Sequence, residues 1–462
     1  MRKLSIGLCS VVALATLNAC DLEIGDLNNP SLDELQDTPT VASINAASIG
    51  IMAGHRAGMA AANGYVLQLG VLGREAYNFD TADPRFCSEL LTGDLAKGSP
   101  FGGNFWVAPY ANIRQANIVV KGVDKVAAFT PEQRSAIKGY ARTFIALDLL
   151  RVINTRDTIG AVIDTDRELS APLAPIAEKA DVFAAINNYL DMAKADLMAG
   201  GMAFPFTLPS GFAGFNTPAN FLKFNRAIRA RVALYSGNPA AALTALSESF
   251  LNASPAALTD LNVGPSMVFS ANAGDTRNLL TNVNIWVHPD QVADAKMNAA
   301  GTGPDARLGR KTVVPTATPT SGTGCGATSN RKYTPLYSAA TSAVPLIRNE
   351  ELILLRAEAR FKTGLKAEAV ADLNTVRQLS GSLAALDPAT ITDAEVVNEI
   401  LYNRRYSLMF EGGHRFLDAR RFDRISDLKL AASNHVFNLR FPIPQGECDA
   451  RPGEPKCLIG SK

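Results

Sequence analysis

Two stretches far apart in the chain repeat one spacing. Ala230, Gly237, Ala242 and Leu246 follow at intervals of seven, five and four, and so do Ala357, Gly364, Ala369 and Leu373. Each glycine falls between two helical patterns, where it can take the left-handed conformation that closes a helix. The small alanines let paired helices approach closely. Such a hairpin cannot bury its apolar face alone and needs packed neighbours.

The rest of the chain supplies them. Residues 131–153 set Ala136, Tyr140, Phe144, Leu147 and Leu150 on one face, behind a Thr130-Pro131 start signal. Residues 178–199 do the same with Val182, Ile186, Leu190, Ala193 and Leu197. Ala-rich stretches at 41–62 and 105–121, and the segment 394–410, also read as helices. The spacing predicts a mainly α fold: one large α-rich domain with tetratricopeptide-like helix–turn–helix pairs at about 219–249 and 346–380. Because so many residues separate the pairs, they are expected as scattered units within a helical core and not as a regular solenoid. Two regions, about 73–104 and 262–335, lose periodicity and read as a loop-rich face with short strands.

The first twenty residues differ from all the others. Arg2 and Lys3 precede an apolar run, Leu4 to Leu17, that is too short to span a bilayer. The run ends in Leu17-Asn18-Ala19-Cys20, which resembles a bacterial lipobox. Residues 1–19 are therefore expected to be a lipoprotein signal peptide, Cys20 the lipidated residue, 20–39 an extended acidic tether and 40–462 the folded domain. Acyl chains on Cys20 would hold the protein to a membrane, each buried CH₂ contributing about 0.8 kcal/mol. Removal of Arg2 and Lys3 leaves 43 basic against 44 acidic residues, a balance that gives no footprint for nucleic acid. Export makes disulfides plausible among Cys87, Cys325, Cys448 and Cys457. Of three connectivities, the one joining Cys448 to Cys457 across a short loop is preferred, leaving Cys87 with Cys325.

No G-x-S-x-G elbow, H-E-x-x-H helix or complete phosphate loop is present. The four histidines are dispersed, and no metal site or cofactor is expected. Asp80, Asp83, Glu89 and Asp94 share one irregular region, so a hydrolase using loop carboxylates stays open as an alternative.

Several segments resemble the SusD/RagB family of outer-membrane nutrient-binding lipoproteins, in the family's order. They are Asp26-Leu27-Asn28-Asn29-Pro30 after the lipobox; Trp106, Tyr110, Ile113 and Ala116-Asn117; Arg348 through Ala357-Glu358-Ala359 to Leu373-Asn374 and Val376-Arg377; Arg404-Arg405-Tyr406 with Phe410-Glu411-Gly412, His414-Arg415, Asp418 and Arg421; and Phe441-Pro442-Ile443-Pro444. Asn403 and Ser407 stand where acids are usual, and Gly413 is an extra residue. The resemblance implies an outer-membrane protein, facing the exterior, that binds extracellular nutrient, most simply an oligosaccharide. It would deliver that cargo to a SusC/RagA-like TonB-dependent transporter. A tetratricopeptide-like envelope scaffold is a further alternative.

In that family the ligand surface is built from loops outside the helical core. Sugar binding calls for flat aromatic faces with amides or carboxylates. The expected ligand residues are Trp286 above all, with Tyr77, Asn78, Asp80, Arg85, Phe101, Asn284 and Tyr333. Glu411, Arg415, Asp418 and Arg421 lie at helical spacing and are expected to form a structural ion network.

Overall fold

The computed structural model describes residues 32–168, 170–316, 320–321 and 325–462. The proposed signal peptide and Cys20 lie outside them. Within the stretch expected to be extended, Leu32–Asp37 is instead a short helix.

The main helices are α1 (Val41–Arg56), α2 (Tyr65–Leu72), α3 (Val107–Gly122), α4 (Pro131–Arg156), α5 (Lys179–Met198), α6 (Pro218–Tyr235), α7 (Pro239–Ser247), α8 (Asn349–Lys362), α9 (Lys366–Leu379), α10 (Asp393–Ser407) and α11 (His414–Arg421). Their starts follow from side chains. Thr130 accepts from the Gln133 amide and Gln133 reciprocates, and Thr392 with Glu395 repeats the capping box at α10. The expected single helix over 41–62 is cut at Arg56, where the chain turns through Gly58, with φ +72°, before α2 begins.

Gly237 and Gly364 both take positive φ, +80° and +85°, and turn α6 into α7 and α8 into α9. Ala230, Ala242, Ala357, Ala369 and Leu373 are fully buried at the two seams. The expectation that these pairs are scattered is corrected: α7 packs directly on α8. Residues 250–345 leave the helical array and return to the same place. Asn252 and Asn349 clasp the exit, with the Asn252 N–H donating to Asn349 Oδ1 at 2.8 Å and Asn349 Nδ2 to the Asn252 carbonyl at 3.1 Å. An excursion pinned at its base leaves the stacking of its flanks intact.

Short antiparallel pairs organise the loops: β1 (Ala76–Asn78) with β5 (Ile285–Val287), β2 (Ala161–Val162) with β3 (Ile176–Ala177), β4 (Ser266–Met267) with β8 (Val344–Pro345), and β6 (Thr320–Ser321) with β7 (Thr328–Ser329). Cys87 pairs with Cys325, tying the two loop regions together, and Cys448 pairs with Cys457.

The ion network differs from the expectation in two respects, because among the described residues Arg415 pairs with neither Glu411 nor Asp418. Glu411 does not meet Arg415. Phe410 (φ +57°) and Gly413 (φ +71°) break the chain out of helix between α10 and α11, so Glu411 is not on the helix that carries Arg415. A side chain at position 413 would also meet Leu69 Cβ at 2.3 Å, which accounts for a glycine there. Glu411 instead takes Arg348 at 3.0 Å and Lys311 at 2.5 Å. Asp418 joins Arg404 at 2.6 Å and Arg421 at 2.8 Å. Glu350, Glu351 and Glu358 are buried and paired, with Arg348, Arg231 and Arg421 respectively.

Candidate functional site

The loop face grows from β1 and β5, whose register sets Tyr77 opposite Trp286. This pairing draws the expected ligand aromatics inward. Tyr77 stacks on Phe79 at 5.2 Å and lies 4.8 Å from His288. Trp286 is 3% exposed, with the Lys332 ammonium 3.8 Å from its ring centroid. Phe101 meets Phe86 edge-on, and Tyr333 stacks on Phe410 at 4.4 Å while its hydroxyl donates to the Glu75 carbonyl at 2.7 Å.

Tyr77, Phe101, Trp286 and Tyr333 are therefore the core of the loop face and offer no open ring to a sugar. These rings belong to the main hydrophobic core, which runs from the helices into the two irregular regions, where the buried Cys87–Cys325 bridge joins them. Asn78 is buried with them, its Oδ1 accepting from the Asp80 N–H at 3.0 Å. Among the described residues no Phe, Tyr or Trp is among the exposed large apolar side chains.

The remaining expected residues lie at the edge. Asp80 is half-buried and follows Phe79, whose N–H donates to the Asn284 carbonyl at 2.9 Å. Arg85 is held by Asp83 at 2.8 Å and lies over Phe101. Asn284 is half-buried, next to Val283, which is 75% exposed. The turn is shaped by Asn282, whose side-chain oxygen accepts from the Asn284 N–H at 2.8 Å. Lys332 completes the rim: its ammonium donates to the Val283 carbonyl and its backbone pairs with Val313. Lys332 thus bonds the Val283 carbonyl beside Asn284 while its ammonium covers the Trp286 ring, and the backbone bond from Phe79 to Asn284 sets Asp80 one residue from the same turn. Lys332 was not legible as a site residue, because only its bond to the Val283 carbonyl, distant in sequence, places it beside Asn284. Such a rim of amide, carboxylate and ammonium groups makes hydrogen bonds to hydroxyls. It supplies no stacking.

The loop acids are engaged individually. Asp83 is bound to Arg85, Glu89 accepts from the Ser99 hydroxyl at 2.8 Å, and Asp94 meets Lys462 at 2.6 Å. The hydrogen bond from Arg85 holds Asp83 below the usual carboxylate range, the opposite of what a general acid needs. No cluster of three or more His, Cys, Asp or Glu suited to a metal ion occurs among the described residues.

Beneath the sheet is a group that sequence reasoning missed. Glu75 is fully buried; its Oε1 accepts from the Phe410 N–H at 3.0 Å and its Oε2 has no partner. Burial pushes its carboxyl up to about 7. Nothing in the local sequence signals this, since the burial comes from residues more than half the chain away.

Residues 311–440 match the model of the SusD family. The whole fold is similar to solved structures described as a SusD-like carbohydrate-binding protein from Bacteroides fragilis NCTC 9343 (TM-score 0.70, 15% identity, covering 89% of this chain and 99% of that one) and a SusD superfamily protein from Bacteroides vulgatus ATCC 8482 (TM-score 0.68, 15% identity, 91% and 98%). A laminarin-binding SusD-like protein is also similar (TM-score 0.60, 17% identity, 89% and 97%). No curated protein matches the sequence.

Proposed function

We propose, from the SusD family match over residues 311–440 and the SusD-like fold, that this chain captures extracellular glycan and passes it to a TonB-dependent barrel in the outer membrane. The observation that carries the reading is the end-to-end likeness of the fold to SusD-type structures, two of them described as binding carbohydrate or laminarin. The lipobox at Cys20 supplies the anchor. No helix among the described residues is long and apolar enough to cross a membrane, in keeping with attachment through lipid. We read the protein as a binder and not a catalyst, because three of the four loop acids, Asp83, Glu89 and Asp94, are each committed to a neighbouring partner, which leaves Asp80 without a second carboxylate to work with.

The binding surface we assign is the rim of Asp80, Asn284 and Lys332 around Val283. Its polar groups favour a hydroxyl-rich, uncharged oligosaccharide held by hydrogen bonds. Modest affinity suffices, because closure over the barrel adds a second, intramolecular contribution. Isothermal titration of an oligosaccharide panel against the mature chain tests the assignment. The double variant Asn284→Ala/Lys332→Ala is expected to weaken the bound oligosaccharide about tenfold, about 1.4 kcal/mol, with the fold retained. Unchanged affinity would remove this rim from the site.

A further inference from the structure

Between α10, α11 and the turn Arg424–Leu428 lies a cleft of about 180 Å³ that opens to solvent. One side of it is apolar: Leu401, Ala419, Leu428 and the Tyr402 ring. The other side carries charge, and nearly all of it is paired. Asp418 holds Arg404 and Arg421, Asp427 holds Arg424 at 2.7 Å, and Arg405 holds Asp294 at 2.9 Å.

Arg415 is the exception. It lines the cleft and is 8% exposed, and its one hydrogen bond to protein runs from Nη1 to the Arg74 carbonyl at 2.6 Å. No carboxylate forms an ion pair with it among the described residues. Glu75, Asp290 and Asp294 act on it only through space. Burial, then the nearby Arg405 charge, lowers it to about 9, so it stays a cation at neutral pH. A buried charge without a counter-ion is costly, and a guest anion in the cleft would remove that cost.

We propose that this cleft binds a small monocarboxylate of sugar size, its carboxylate on the Arg415 guanidinium and its carbon body along Leu401, Tyr402, Ala419 and Leu428. The planar guanidinium fork matches a planar carboxylate. A single uncompensated positive charge, with Asp418 and Asp427 on the same wall, disfavours a phosphate dianion. The site is independent of the rim assigned to neutral glycan, and it extends the ligands of this protein to acidic sugars.

The test is titration of the full mature chain with galacturonate, galactose and inorganic phosphate. Galacturonate is expected to bind saturably, galactose not at all, and phosphate more weakly than galacturonate. Leu401→Trp fills the cleft and leaves every charged group in place. It is expected to weaken galacturonate at least tenfold while leaving oligosaccharide binding at the rim unchanged. Arg415→Lys should weaken galacturonate similarly. Absence of saturable galacturonate binding, equal binding in Leu401→Trp, or tighter binding of phosphate would each overturn the proposal. Loss of rim binding alone bears only on the glycan assignment.

Discussion

Replacing Arg348 by methionine is expected to destabilise the fold by about 3–5 kcal/mol. Arg348 is the centre of the buried network between α8 and the start of α11. Its Nε donates to Glu411 at 3.0 Å, Nη1 reaches Glu350, and Nη2 reaches the Ser407 carbonyl. Burial would lower the Arg348 pKa, yet Glu411 and Glu350 hold it above its ordinary value. Methionine keeps the apolar stem but strips the charge, leaving Glu350 and Glu411 buried with one partner fewer. Glu411 retains Lys311 and Glu350 retains the Ser407 hydroxyl at 2.6 Å, so the loss is large without being total.

The same network sets an acid limit. Burial alone would raise Glu350 and Glu351, but Arg348 and Arg231 overcome it and hold both at about 2. A carboxyl depressed in the folded state stabilises above its unfolded pKa of about 4.5 and loses that contribution as pH falls through the folded value. Wild-type stability should therefore drop between about pH 4.5 and 2, and in Arg348→Met that acid slope should flatten. Urea unfolding at pH 7 and at pH 3 reads both effects. A destabilisation below about 1 kcal/mol at pH 7, a size ordinary for exposed ion pairs, would mean that the network does not couple the two segments.

Glu75→Gln is expected to act in the opposite direction, stabilising the protein at pH 8 by up to about 3 kcal/mol. Burial raises this carboxyl to about 7 from an ordinary 4.5, against the opposing Phe410 hydrogen bond and the Arg415 charge. A carboxyl raised on folding is easiest to accommodate while protonated. Its folded state therefore loses stability as pH rises from about 4.5 to about 7, and the penalty is complete above that. Glutamine keeps the acceptor for the Phe410 N–H and never ionises. Thermal melts of the two proteins should converge near pH 5 and diverge at pH 8, with the variant higher. An equal difference at both values would show that packing, not ionisation, separates them.

Much of the helical array was legible because burial leaves a period in the sequence. Tyr140, Phe144 and Leu147 in α4, and the glycines at 237 and 364, each act through local geometry. What escaped depends on contacts between distant residues. The return of residues 250–345 to their point of departure rests on the Asn252–Asn349 clasp, which no spacing reveals. Trp286 and Tyr77 looked like ligand aromatics because they fall outside amphipathic helices. Pairing through β1 and β5 folds those rings into the main core, which reaches from the helices into the loops. Arg415 and Asp418 were read as i,i+3 partners on one helix, but Asp418 pairs with Arg404 and Arg421. Glu411 and Arg415 were not partners, because two residues at positive φ lie at the junction between α10 and α11.

The rim residues divide along the same line. Asp80 and Asn284 stood out as polar groups in irregular sequence. Lys332 joins them only through a bridge between two loops. Arg415 was read as a member of an ion network, and its lack of a carboxylate partner is visible only in three dimensions.

The central claim, a lipid-anchored capture protein serving a barrel transporter, is tested most directly by purifying the tagged protein from outer membranes in mild detergent and identifying what accompanies it. A stoichiometric large β-barrel of the TonB-dependent type is expected. A preparation free of any barrel, repeated after growth on several glycans, would contradict it.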